Sequence, residues 1–308
     1  MILRVAEVLH DALPGRFDSR HLSVAAVSAT HPKFLVFERD RSRPACVVEM
    51  GPIAAMRRHH EVLLALHASI PALVPEPLAC TQWDLTSAIC VQGGLPGLPW
   101  FALRREYRGG RQWRHLLEDA VRALCLFQMA ARGEQDWTAA VHPGDALRAQ
   151  ARACVNAGVT FNPAVMSLVM RRAERLDDRG AMASHWQHGD FSLNNLLVSR
   201  NFVGIIDFDE FGETSMPLHD EFGLALSMRL SQDGACALPW SSCLETCVRY
   251  AAERRGYDEL TVDGLLLHHL LWRIRRSLAS PARAALRQSL LTILDSFVAN
   301  PRAWLTTH

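Results

Sequence analysis

Apolar and polar positions follow two different periods along this chain, and the place where one gives way to the other divides it. Residues 22–29 read L-S-V-A-A-V-S-A, residues 33–39 K-F-L-V-F-E-R and residues 45–50 A-C-V-V-E-M. Short β-rich runs bounded by polar turns predict an antiparallel meander. A helix is expected before them over 2–13, ended by Pro14 and Gly15, and a second after them over 53–68. The second has Leu63, Leu64 and Leu66 on its apolar side and Glu61 within it. Pro75 and Pro77 break it, and two more strands are predicted over 78–83 and 87–92.

Gly93, Gly94, Pro96, Gly97 and Pro99 then crowd a stretch that can continue neither strand nor helix, the clearest candidate linker. Beyond it the period becomes helical. Helices are expected over 112–132, 143–157, 163–175, 219–231, 241–255, 262–277 and 281–299, with caps or breakers at Asp258, Thr261, Pro281 and Pro301. No period of 20–50 residues repeats, which argues against a solenoid. A strand-rich front, a joint and a helical rear make an α+β bilobal architecture, with an N-terminal lobe at 1–94 and a helical C-terminal lobe at 95–308.

Composition narrows the function classes. Of 308 residues, 49% are hydrophobic, enough for a sizeable core, and 33 basic residues face 32 acidic ones. With no broad basic field, neither nucleic acid nor an anionic membrane is the expected partner. Lys33 is the only lysine; every other Lys/Arg position is arginine. The N-terminus has charges inside its apolar stretch and does not read as a secretory signal, and no run reaches the ~18 apolar residues of a membrane span. Eight cysteines are scattered through the sequence, at 46, 80, 90, 125, 154, 236, 243 and 247, which suits reduced thiols and a cytoplasmic setting.

The chemistry concentrates in residues 186–221. Asp190 and Asn195 stand five positions apart in H-G-D-F-S-L-N-N, and Asp207 ends the apolar run of Phe202, Val203, Ile205 and Ile206. Phosphoryl transfer needs this set: a carboxylate for the attacking hydroxyl, then an amide and a second carboxylate to hold magnesium. Magnesium takes hard oxygens, few of them from protein.

H-G-D-x-x-x-x-N followed by I-D-F-D resembles the catalytic loop and metal strand of the aminoglycoside phosphotransferase and choline kinase family, within the protein-kinase-like fold. The resemblance implies Asp190 as catalytic base and Asn195 and Asp207 as ligands of Mg2+. It also implies that His188 braces the loop and that Asp220, in Pro217-Leu218-His219-Asp220, ties it down. Asp209 reads as a turn acid that could approach a second metal. The linker would be the hinge, where the backbone at Val91 and Gln92 meets the base of ATP or GTP. Its specific motifs cover 186–221, while its order of elements covers most of the chain.

One departure stands out. The family's fold places a lysine on the third strand, held by a glutamate on the next helix. Here Glu49 falls where that lysine belongs, and Glu61 falls where the helix glutamate is expected. Three outcomes follow. Lys33 reaches the phosphates from the second strand, Arg57 and Arg58 supply the charge from the helix, or nucleotide binding is weakened or lost and the chain is a catalytically impaired kinase-like nucleotide-binding or scaffold protein. An arginine would not reproduce lysine's geometry.

The expected activity is transfer of the γ-phosphoryl of a nucleotide to the hydroxyl of a small molecule. A metal-dependent hydrolase is the weaker reading, because the adjacent pairs His59/His60 and His268/His269 each point in two directions on a helix and cannot chelate as units. For the acceptor site, Glu210, Glu213 and Glu221 are candidate acids and Trp100, Trp113 and Trp137 candidate aromatic covers. Aminoglycoside, choline, homoserine and sugar acceptors all remain open.

Overall fold

The computed structural model describes residues 2–17, 21–28, 32–39, 41–107, 109–200, 202–231 and 240–300; Cys236 lies outside them. In chain order the elements are α1 (Ile2–Ala12), β1 (Leu22–Ser28), β2 (Lys33–Glu38), β3 (Cys46–Pro52), α2 (Ile53–Ser69), β4 (Pro77–Gln82), β5 (Ser87–Gly93) and the two-residue β6 (Leu98–Pro99). There follow α3 (Trp100–Leu103), α4 (Gly110–Gly133), β7 (Thr138–Val141), α5 (Pro143–Asn156), α6 (Pro163–Asp177), β8 (Met182–His185), β9 (Leu196–Ser199) and β10 (Phe202–Ile205). The remainder is helical: α7 (His219–Ser231), α8 (Trp240–Leu244), a π-helical segment (Glu245–Arg249), α9 (Tyr250–Arg254), α10 (Glu259–Ser277) and α11 (Ala284–Ala299). Among the described residues no helix is long and apolar enough to cross a membrane.

The chain forms two compact units, interleaved along the sequence rather than divided by a single cut. The first takes residues 1–106, 125–130 and 194–209; the second takes 107–124, 131–193 and 210–308. The strand-rich front and helical rear expected from the pattern are both present, and the fold is α+β.

In the first unit five antiparallel strands lie in the order β1-β2-β3-β5-β4. Pleating sends successive side chains to opposite faces. Phe34, Val36, Cys46, Val48, Ile89 and Val91 therefore share one face, where Val5 and Leu9 of α1 join them in a buried cluster. The other face receives Met56 of α2 against Ala88 and Cys90. Lys33 and Glu49 are direct cross-strand partners, Glu49 is opposite Cys90, and the pleat puts all three on the α2 face. A separate three-stranded sheet, β10-β9-β6, closes the hairpin that carries Asn195 and Asp207.

In the second unit α10 is buried without interruption from Thr261 to Trp272. It packs against α5, α6, α7 and α11, so no polar stripe is needed. The helix starts three residues ahead of the expectation because Asp258 caps it, accepting the backbone N–H of Thr261 at 2.8 Å. Asn162 caps α6 in the same way, with Pro163 in its first turn. β7 and β8, which the periodicity did not predict, pair antiparallel.

Candidate active site

The second unit holds the H-G-D turn rigidly. Gly189 has φ +86°, and a Cβ there would come within 2.5 Å of the Glu210 carbonyl oxygen, so both conformation and space demand glycine. Asp220, fully buried in the first turn of α7, accepts the backbone N–H of His188 at 2.8 Å and of Gly189 at 3.0 Å, one on each oxygen. The Gly189 carbonyl can only accept, so His219 donates to it through Nε2 at 3.2 Å. Nδ1 of His219 then accepts from Nδ1 of His269 at 3.3 Å. Burial lowers the pKa of His219 to about 3, and that of His269 well below the ordinary value, so both rings are neutral. His188 is buried edge-on against Phe191, at 5.7 Å between ring centroids.

Asp190 leaves this braced turn and pairs with Arg273 of α10. One helical turn on, Arg276 binds Glu210 at 2.7 Å and Glu213 at 2.9 Å while lying over the Trp272 ring. The third candidate acid, Glu221, is buried 3.5 Å from Arg255. All three candidate acids thus have arginine partners. Trp100, Trp113 and Trp137 are 2%, 4% and 8% exposed and belong to the core, which corrects their reading as aromatic covers.

The first unit presents the other half of the predicted set. Asn195 ends a 3-10 turn (Leu193–Asn195), and its carbonyl accepts the N–H of Ile206 at 3.0 Å. Asn195 and Asp207 therefore leave the same end of the β9–β10 hairpin. Asp207 has φ +66°, rare for a residue with a side chain, and its buried Oδ1 has no hydrogen-bond partner. An orphaned carboxylate oxygen beside an amide-bearing turn suits a hard divalent cation such as Mg2+.

Lys33 stands beside the carboxylate found where the strand lysine was expected. Its Nζ lies 2.8 Å from Oε1 of Glu49, and Gln92 donates to the same oxygen at 3.1 Å. Burial disfavours the ammonium, yet Glu49, Asp207 and Asp209 together raise its pKa above the ordinary lysine value. An ammonium carried by β2 thus lies in the field of Asp207. Arg57 and Arg58 lie on the exposed side of α2.

Three expectations shift in detail. Glu61 is exposed, and Leu64 is 49% exposed; the inward stripe of α2 is Met56, His59, Val62, Leu63 and Leu66. His59 therefore holds the inward place assigned to Glu61, and a histidine spaced three residues from both Met56 and Val62 was the available signal. Val91 is core, and Gln92 is buried with its side chain on Glu49. Their strand lies between β3 and β4, which commits its backbone to two ladders.

Comparison with known proteins adds the following. The profile of the family described as "Phosphotransferase enzyme family" matches residues 30–257. No curated protein matches the chain by sequence. A candidate aminoglycoside phosphotransferase from Ralstonia eutropha JMP134 is 14% identical at a TM-score of 0.68, covering 96% of this chain and 94% of that one. A thermostable variant of aminoglycoside phosphotransferase APH(4)-Ia, in ternary complex with AMP-PNP and hygromycin B, is 16% identical at a TM-score of 0.63, covering 96% and 97%. Choline kinase from Cryptosporidium parvum Iowa II is 12% identical at 0.59, covering 98% and 99%.

Proposed function

Because the chain belongs to the phosphotransferase enzyme family, we propose that it moves the γ-phosphoryl group of ATP or GTP to the hydroxyl of a small molecule. The observation that carries this reading over a catalytically impaired scaffold is the position of Lys33. A carboxylate on β3 alone would repel a triphosphate, whereas the Lys33 ammonium beside Glu49 supplies the cation the phosphates need. The AMP-PNP held by the APH(4)-Ia structure supports a nucleotide donor.

In this reading Asp190 orients the acceptor hydroxyl and takes its proton, a contribution typically worth ~10²–10⁴ in rate. The braced backbone of His188 and Gly189 fixes where that carboxylate points. Asn195 and Asp207 would hold Mg2+, which when bound offsets the phosphate charge. Lys33 pairs with phosphate oxygens, and Gln92 and Glu49 hold it in place.

Transfer of label from γ-labelled ATP to a panel of hydroxyl-bearing metabolites and antibiotics tests the proposal. It predicts Mg2+-dependent labelling of an acceptor that disappears in Asp190→Ala with nucleotide affinity retained. Equal turnover in Asp190→Ala would remove that residue from the chemistry. A Lys33→Met/Glu49→Lys double variant, which returns the cation to β3, should recover nucleotide binding lost in Lys33→Met.

A further inference from the structure

The first unit carries a second set of donors, of which phosphoryl transfer, as read above, uses only Glu49. A carboxylate oxygen of Glu49, a ring nitrogen of His59 and a carboxylate oxygen of Asp209 all lie within 4.8 Å of one another. His59 is the informative member. It is 7% exposed on the buried stripe of α2, yet neither Nδ1 nor Nε2 has a hydrogen-bond partner. Its Nδ1 is 3.8 Å from Oδ1 of Asp209, too far for a hydrogen bond and open to an ion between them. Buried polar atoms are normally satisfied, so an imidazole orphaned at both nitrogens beside two carboxylates calls for a ligand.

We propose that Glu49, His59 and Asp209 form a site for a divalent transition metal, Zn2+ above others, distinct from the Asn195 and Asp207 pair. Magnesium prefers oxygen donors throughout, whereas one imidazole nitrogen with two carboxylate oxygens suits zinc. Three protein ligands leave the fourth position of a tetrahedral ion to water or an incoming group. Glu49 also binds Lys33, so metal and ammonium compete for one carboxylate. Filling the site draws Glu49 away from Lys33, which couples zinc to the phosphate-binding cation.

Calorimetric titration of Zn2+ into the metal-stripped full-length protein, in excess Mg2+ and without nucleotide, tests this, with Co2+ absorption as a report on nitrogen ligation. One equivalent should bind. Asp209→Asn and His59→Asn should each weaken it by about 100-fold or more, at least the loss that an outer-shell change causes at a metal site. Asp209 is exposed, so its variant decides the matter even if His59→Asn fails to fold. Lys33→Met, by freeing Glu49, should tighten binding. No binding by the wild type, or wild-type affinity retained in Asp209→Asn, would overturn the assignment. Asp190→Ala should keep zinc affinity while losing turnover, so the failure of this inference and that of the phosphotransferase reading can be told apart.

Discussion

Lys33 on β2 and Glu49 on β3 are direct cross-strand neighbours with Nζ and Oε1 2.8 Å apart. A sheet register, not a sequence motif, thereby sets an ammonium beside the carboxylate that stands where a strand lysine was expected. Removing that charge should weaken nucleotide binding more than folding. Lys33→Met is expected to lower Mg·ATP affinity by about 10- to 100-fold, the worth of a charged hydrogen bond. Isothermal titration checks this, and Lys33→Arg should rescue poorly because its planar fork is longer and differently aimed.

The turn that presents Asp190 depends on Asp220. Both of its oxygens accept backbone N–H groups, so Asp220→Asn would turn an amide donor toward one of them. The variant should lose about 1–3 kcal/mol of stability, the cost of an unsatisfied buried donor. Denaturant unfolding measures that loss, and kcat should fall with it while nucleotide affinity stays near wild type.

Arg273 holds Asp190 from α10. Arg273→Met should therefore reduce kcat through a carboxylate that is no longer oriented, with little change in the KM for nucleotide. A variant that changed only nucleotide KM would place Arg273 elsewhere in the scheme.

A pH dependence follows from the cap of α10. Hydrogen bonds from Thr261, with Arg175 and Arg179 also donating, hold the Asp258 carboxyl well below the ordinary aspartate range against a modest burial effect. A depressed folded-state pKa gives stability that is present above the unfolded value, ~3.9, and lost as pH falls through the folded value. Asp258→Ala should cost about 1 kcal/mol near neutrality. The difference between wild type and variant should shrink toward zero on acidification below pH ~4. Thermal melts across that range read it directly.

Much of the fold was legible because its signals are local. Alternation in β2 and β3, the proline break after α2 and the cap of α10 each act within a few residues. The H-G-D turn, Asn195, Asp207 and the Pro217 to Asp220 spacing were legible for the same reason. What escaped depended on register or helix phase. Nothing local says that Lys33 lies opposite Glu49, because the turn length between β2 and β3 sets that pairing. The phase of α2 is fixed by Met56, Val62, Leu63 and Leu66 packing inward, which turns His59 in and Glu61 out. The acids Glu210, Glu213 and Glu221 read as acceptor-site candidates because their arginine partners lie 34 to 66 residues away.

Titration of ATP into the wild-type protein and the Asp207→Ala variant, each with and without Mg2+, tests the central reading most directly. The account predicts saturable wild-type binding that Mg2+ strengthens, and in Asp207→Ala a loss of that Mg2+ dependence. Absence of wild-type binding at millimolar nucleotide would contradict it and leave the fold as a scaffold without its chemistry.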